Sequence, residues 1–342
     1  MARSPFSIPR FISLLVLLVL ACGSVGCTAL PAAWPPDDTA LSLNIKTDQS
    51  GRPSRPENSG ACADNNDSAT LLAWQLGSNT SQNRASEQAS PESHTDTTSE
   101  SSPIKTDRPT FTPSSSTVGK NTIQLETGYK YIHDRSQGVT EDSHNYPEAS
   151  LRFGILADWL EGRIGQNFVT TSTGEQVASS NTGASDLLLG FRLGLTKQKE
   201  CLPETSVILQ MSVPTGSQLL TQKEVMPGII YVFGWDIIKN HLSMTGSLSA
   251  NRALDGAEHF YTQFAESLVV VWSLTKQLDV FAESYALTPC GAIDPATGPQ
   301  PFFDTGMTFK VTPNLQLDCI AGLGLNRHAE EFFVGAGLSV RY

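Results

Sequence analysis

Toward its end the chain alternates between oily and small or polar positions. Counting back from Tyr342, the residues Val340, Leu338, Ala336, Val334 and Phe332 share one parity, and Arg341, Ser339, Gly337, Gly335 and Phe333 fall between them. The preceding run repeats the pattern, with Leu315, Leu317, Cys319, Ala321, Leu323 and Leu325 on one face and Gln316, Asp318, Ile320, Gly322, Gly324 and Asn326 on the other. A period of two is the signature of a strand whose faces meet different surroundings. Runs of about ten residues with one continuous apolar face, closing on an aromatic, suit a barrel wall in a bilayer, whereas strands of soluble sandwiches are mostly about five or six residues long.

From residue 120 onward about twelve such runs can be counted, at 120–132, 146–155, 160–170, 185–196, 205–213, 228–238, 241–250, 261–273, 277–287, 303–311, 315–326 and 331–342. The connections between them alternate in length. Long polar segments follow the first, third, fifth, seventh and ninth runs (DRSQGVTEDSHN, TSTGEQVASSNTG, PTGSQLLTQKEVMPG, NRALDGAEH, TPCGAIDPATGPQP), and mostly tight turns (LADW, KNH, TKQ, TPN) separate the others. Long outer loops and short inner turns are the rule of outer-membrane barrels. Aromatics sort the same way: Trp159, Trp235, Trp272 and Tyr342 fall at the ends with short turns, and Tyr129, Tyr131, Phe168, Tyr231, Phe260, Tyr261 and Phe303 at the ends with long loops. Two girdles are what the two membrane interfaces ask for. The pattern predicts an all-β fold, a transmembrane antiparallel β-barrel of about 12 strands at 120–342, with both chain ends on the periplasmic side.

Three segments precede it. Residues 1–27 carry Arg3 and Arg10 and then an apolar core at 11–21, too short to span a bilayer, which reads as an export signal; cleavage at a small-residue site near 29–33 and lipidation at Cys22 or Cys27 are both open. Residues 28–103 are dominated by Ser, Thr, Asn, Asp, Pro and Gly and are predicted to be a disordered low-complexity tether. Its one apolar island, ATLLAWQL, reads as a speck within the linker, or as a transient helix or docking peptide. Residues 104–119, with Pro109, Phe111 and Pro113, form a stiffer pre-barrel segment.

A net charge of -11 and a pI near 5.0 argue against nucleic acid, whose phosphates call for a basic face. There is no run of twenty apolar residues, so a membrane form has to be a barrel. Cysteines beyond residue 27 stand at 62, 201, 290 and 319 without CxxC spacing, and Cys201 and Cys290 fall at opposite ends of the predicted barrel. No GxSxG elbow or HExxH helix occurs; His133, His144, His259 and His328, with Asp142 and Ser143 nearby, read as polar loop residues. No catalytic group, cofactor or metal is expected.

The pieces KTDRPTFTPSSSTVGKNTIQLETGYKY, ASDLLLGFRLGL, SVPTG, FAESY and TPNLQLDCIAGLGLN followed by EEFFVGAGLSVRY together resemble a bacterial family. It is the transporter-like outer-membrane group named for a role in the meta-pathway of phenol degradation, and the resemblance covers about residues 104–342. It implies a barrel in the outer membrane and passage of small, hydrophobic or aromatic compounds, although membership does not fix a solute. The sequence departs from the family at Gln166, where a Trp-like residue is usual.

The parity assigns an inward face to Glu126, Lys130, Arg152, Glu161, Arg163, Asn167, Asp186, Arg192, Gln210, Asp236, Glu266, Asp279, Glu283, Lys310, Gln316, Asp318 and Arg341. Their signs nearly balance, which fits both a lumen filled with ion pairs and a hydrated, charged pore. Asp107, Arg108 and Phe111 are the candidate plug: folded into the periplasmic mouth, Arg108 is expected to meet Asp186 or Asp318, and Asp107 to meet Arg341. The reading is an outer-membrane channel for small compounds. A structural anchoring barrel and, further off, an outer-membrane hydrolase are the alternatives. Its expected partners are outer-membrane lipid, a small solute and the barrel-insertion machinery, which would read the C-terminal strand.

Overall fold

The computed structural model describes residues 103–136, 139–174 and 179–342, so the signal-like segment and nearly all of the tether lie outside it. The described chain folds into thirteen strands and no helix: β1 (Ile123–Ser136), β2 (Val139–Gly154), β3 (Leu160–Thr173), β4 (Ser179–Ala184), β5 (Leu187–Thr196), β6 (Glu204–Val213), β7 (Met226–Ile238), β8 (Leu242–Leu254), β9 (Phe260–Ser273), β10 (Leu278–Cys290), β11 (Gln300–Thr312), β12 (Leu315–Gly324) and β13 (Phe332–Arg341). Each pairs antiparallel with its sequence neighbour except β4 and β5, which both pair with β3, and β1 pairs with β13, so the sheet closes on itself. Closure through β1 and β13 pairs the edges that an open sheet would expose, which is what makes a sheet tolerable in lipid.

Thirteen segments occupy twelve wall positions. The upper half of β3 pairs with β4 and its lower half with β5, so β4 and β5 form one wall strand interrupted at Ser185 and Asp186. Asp186 is drawn aside there, accepting hydrogen bonds from the amides of Gly216 and Gln222, both 2.9 Å, in the β6–β7 loop.

Parity follows the sequence reading almost throughout. Glu126, Arg152, Glu161 and Arg192 are completely buried on the inner face, and Ile123, Leu125, Leu209, Met307, Leu317 and Val334 lie exposed on the outer face. Two departures stand out. The hairpins β1–β2 and β3–β4 extend into sequence predicted to be loop, because polar cross-strand pairs hold them together: Tyr131 to Asp142, 2.7 Å, and Thr170 to Thr182, 3.0 Å. And Glu266, expected inside, faces out: its neighbours Ala265 and Ser267 are each 5% exposed and fill the inner face of β9. Trp272, of the same parity, is on the outside as well.

The inner face is also less uniformly polar than the pattern suggests. Phe281, Phe302, Phe333, Val269, Ile320 and Ala329 form an apolar cluster on the β9–β13 side, among the buried acids Asp279, Glu283, Asp304 and Asp318, while Arg152, Arg163 and Arg192 stand on the β1–β5 side.

Candidate functional site

The pre-barrel segment runs inside the barrel. A chain in a lumen has no sheet to pair with, and its amide groups need acceptors. Inward carboxylates supply them. Glu126 accepts from the amides of Asp107 and Arg108, both 3.0 Å; Glu283 from those of Phe111, 2.8 Å, and Thr112, 2.7 Å; Glu161 from that of Val118, 2.9 Å. Glu283 also takes the Thr112 hydroxyl, and Glu204 takes the hydroxyls of Ser115 and Ser116, both 2.7 Å. The segment is anchored lower down by the Ile104 amide on the Pro313 carbonyl, 2.9 Å, and by the Gln124 amide on the Lys105 carbonyl, 2.9 Å.

Asp107 is the centre of the charged side. Its carboxylate lies 2.6 Å from Arg163, 2.9 Å from Arg192 and 3.3 Å from Arg152. Arg152 in turn grips Glu161 through two bonds of 2.9 and 3.0 Å and reaches Glu126 at 2.9 Å. Three guanidiniums therefore face Asp107, Glu126 and Glu161, a balance that a buried site requires, since each charge removed from water has to be matched by an opposite one.

Arg108 makes the second anchor. It pairs with Glu148 at 2.5 Å and with Asp318 at 3.3 Å. Its guanidinium fits the wall because Gly128 of β1 and Gly337 of β13 stand opposite each other in register, and a Cβ on either would lie 2.3 or 2.5 Å from an Arg108 nitrogen. Beside it a cavity of about 260 Å³ remains, bordered by Arg108, Lys130, Glu148, Arg163, Asn167 and Asp186. Lys130 reaches Glu148 at 3.7 Å and sits 5.4 Å above the Phe333 ring.

On the apolar side Phe111 stacks face to face on Tyr285, centroids 4.3 Å apart, and Tyr285 stacks on Phe302 at 4.7 Å. The segment thus bridges the two halves of the lumen, with Asp107 and Arg108 on the charged side and Phe111 on the aromatic side.

Several expected pairings differ. Arg108 meets Asp318 but makes no bond to Asp186, whose carboxylate is taken by the β6–β7 loop. Asp107 meets the three arginines rather than Arg341, which sits at the rim and holds Asn314 of the β11–β12 turn at 2.7 Å. Asp236 is exposed at the same rim, its amide bonded to Gln198 at 2.7 Å. Lys310 pairs with Asp279 at 2.6 Å, away from the segment. Glu148, Glu204, Tyr285 and the Gly128–Gly337 pair were not singled out by the sequence. Of these only the glycines left a trace, as the small positions of β1 and β13 that come opposite each other once the two strands are paired.

At the opposite end His133 lies 2.7 Å from Asp142, while the Ser143 hydroxyl is 3.0 Å from Thr171, so these groups do not line up as nucleophile and base.

The architecture is similar to that of the COG4313 outer membrane channel from Pseudomonas putida F1, at 12% identity and a TM-score of 0.54, over 67% of this chain and 98% of that one. Looser likenesses are to the NanC porin, 8% identical with a TM-score of 0.42 over 64% of this chain and 98% of that one, and to the translocator domain of the autotransporter NalP from Neisseria meningitidis, 10% identical with a TM-score of 0.45 over 66% and 89%. No curated protein matches the chain by sequence. The model of one family, described as "Putative MetA-pathway of phenol degradation", matches residues 106–342.

Proposed function

Because the chain belongs to the family described as "Putative MetA-pathway of phenol degradation", we propose that this outer-membrane channel passes small hydrophobic or aromatic compounds through a lumen narrowed by its own pre-barrel segment. The observation that carries the reading is the course of residues 104–119 along the lumen, held by Glu126, Glu283 and Glu161, with a cavity of about 260 Å³ left beside Arg108. Asp107, Arg108 and Phe111 act as the plug. Lys130, Arg163 and Asp186 line what remains of the path beside Arg108, the buried Glu126, Arg152, Glu161, Arg192, Glu283 and Asp318 hold the segment, and Lys310 stands on the wall.

In this reading residues 1–27 export the chain, the tether lies in the periplasm, and the apolar ladder from Val334 to Tyr342 is read by the insertion machinery. The protein does no covalent chemistry. The stacked Phe111, Tyr285 and Phe302 support an aromatic solute, since flat rings stack on flat rings. Proteoliposomes carrying the full chain should take up small aromatic solutes faster than protein-free liposomes and faster than they take up disaccharides. Equal rates with and without protein would defeat the proposal.

A further inference from the structure

Glu266 stands where a barrel in lipid has no ordinary use for a carboxyl group. On β9 the residues Ala265, Ser267 and Val269 are 5%, 5% and 4% exposed and point inward, whereas Phe264, Val270 and Trp272 are exposed on the outer face and share the parity of Glu266. Its cross-strand partners agree: Leu248 of β8, 55% exposed, and Ala286 of β10. Glu266 lies six positions from Phe260 at one end of the strand and six from Trp272 at the other. That places it midway between the two aromatic girdles, at the depth of the hydrocarbon centre. No hydrogen bond or ion pair is made to it by any described residue. An ionisable group at that depth is costly unless something satisfies it.

We propose that Glu266 is the contact point of a symmetric dimer, in which the outer faces of β9 and β10 of two copies meet. Three observations point to a second copy as the occupant. The first is chemical: a carboxyl group carrying its proton is at once donor and acceptor, so two of them satisfy each other. The second is geometric. Copies inserted in the same sense are related by a two-fold axis along the membrane normal, and such an axis brings each residue to the depth of its counterpart, so with the axis beside β9 and β10 Glu266 faces Glu266 at one height. Among the described residues no outward cation sits at this level; Arg252, the outward cation of β8, lies near the strand end, stacked 3.7 Å above Phe260. The third is the surrounding surface. Ala282, Ser284 and Ala286 of β10 and Ala250 of β8 form a shallow strip beside Glu266, while the outer faces of β5 and β6 carry Leu189, Phe191, Leu209 and Met211. Small side chains let two membrane elements approach closely.

The test is the association state of the full-length protein in lipid nanodiscs or bicelles across a range of lipid-to-protein ratios, with heat-modifiable gel migration confirming that every variant is folded. Wild type should show a dimer that dissociates on dilution into lipid. Glu266→Gln, which keeps a donor and an acceptor, should stay close to wild type. Glu266→Leu should weaken dimerisation by about tenfold, the effect of a hydrogen-bonded contact worth about 1–2 kcal/mol in a membrane, and its channel conductance should equal that of wild type. A wild type that stays monomeric at every ratio overturns the proposal. So does a Glu266→Leu variant that dimerises as wild type does, or a wild type held only by a different protein.

Discussion

At Asp107 three guanidinium groups converge on one carboxylate, and the arrangement is unforgiving of single changes. Removing the acid leaves Arg152, Arg163 and Arg192 facing one another in a buried site, and losing one partner of a buried ionic cluster costs about 3–5 kcal/mol. Asp107→Ala should therefore loosen the segment from the wall, seen as a higher single-channel conductance and faster proteolysis between residues 104 and 119. Unchanged conductance and protection would mean that Asp107 does not hold the segment. Arg108 offers a finer probe. Its slot between Gly128 and Gly337 leaves no room for a Cβ, so Arg108→Ala empties the slot without disturbing the strand pairing and should raise conductance by a smaller step than Asp107→Ala does.

Among the elements, two of the outer loops are tied through Asp255. The Asp255 carboxylate accepts from the amides of Ala257, His259, Ile293 and Asp294 at 2.8 to 3.2 Å, linking the β8–β9 loop to the β10–β11 loop. Burial works against its ionised form, but the four backbone donors outweigh it and hold the group down at about 2. An acid depressed in the folded state stabilises above its unfolded value, about 3.9, and the contribution fades as pH falls toward 2. Intrinsic-rate-corrected exchange at Ile293 and Asp294 should accelerate in that window and be fast at all pH values in Asp255→Asn. Exchange indifferent to both changes would show that the loops are tied by other means. The final strand carries a separate expectation. If the ladder ending in Tyr342 is read during assembly, deleting Tyr342 should lower the inserted yield several-fold; insertion at the wild-type level would reduce Tyr342 to an interfacial anchor.

The elements also show why some of this was legible in the sequence. In β5, β12 and β13 one face is apolar without exception, so parity alone oriented them. In β9 Ala265 and Ser267 are small enough to sit on either face, so parity alone does not orient the strand, and the pairing of Glu266 with Leu248 and Ala286 turns it outward. The extended hairpins were hidden because period-two hydrophobicity vanishes once both faces meet water. The partners of Asp107 and Arg108 depend on strand tilt and stagger, which set the height of each inward residue and leave no trace in spacing along the chain.

In the whole molecule a closed wall, sealed by the β1–β13 pairing, surrounds an irregular stretch of chain that occupies its lumen. A fold of this kind should migrate on a denaturing gel differently before and after heating, because a closed hydrogen-bonded barrel resists detergent when cold. Residues 104–119 are proposed to narrow the channel. Single-channel recording in planar bilayers, comparing the full chain with one lacking the residues up to Gly119, tests it most directly. A several-fold rise in conductance for the truncated, heat-modifiable barrel is the predicted result; equal conductance of the two would contradict it and place the segment outside the conducting path.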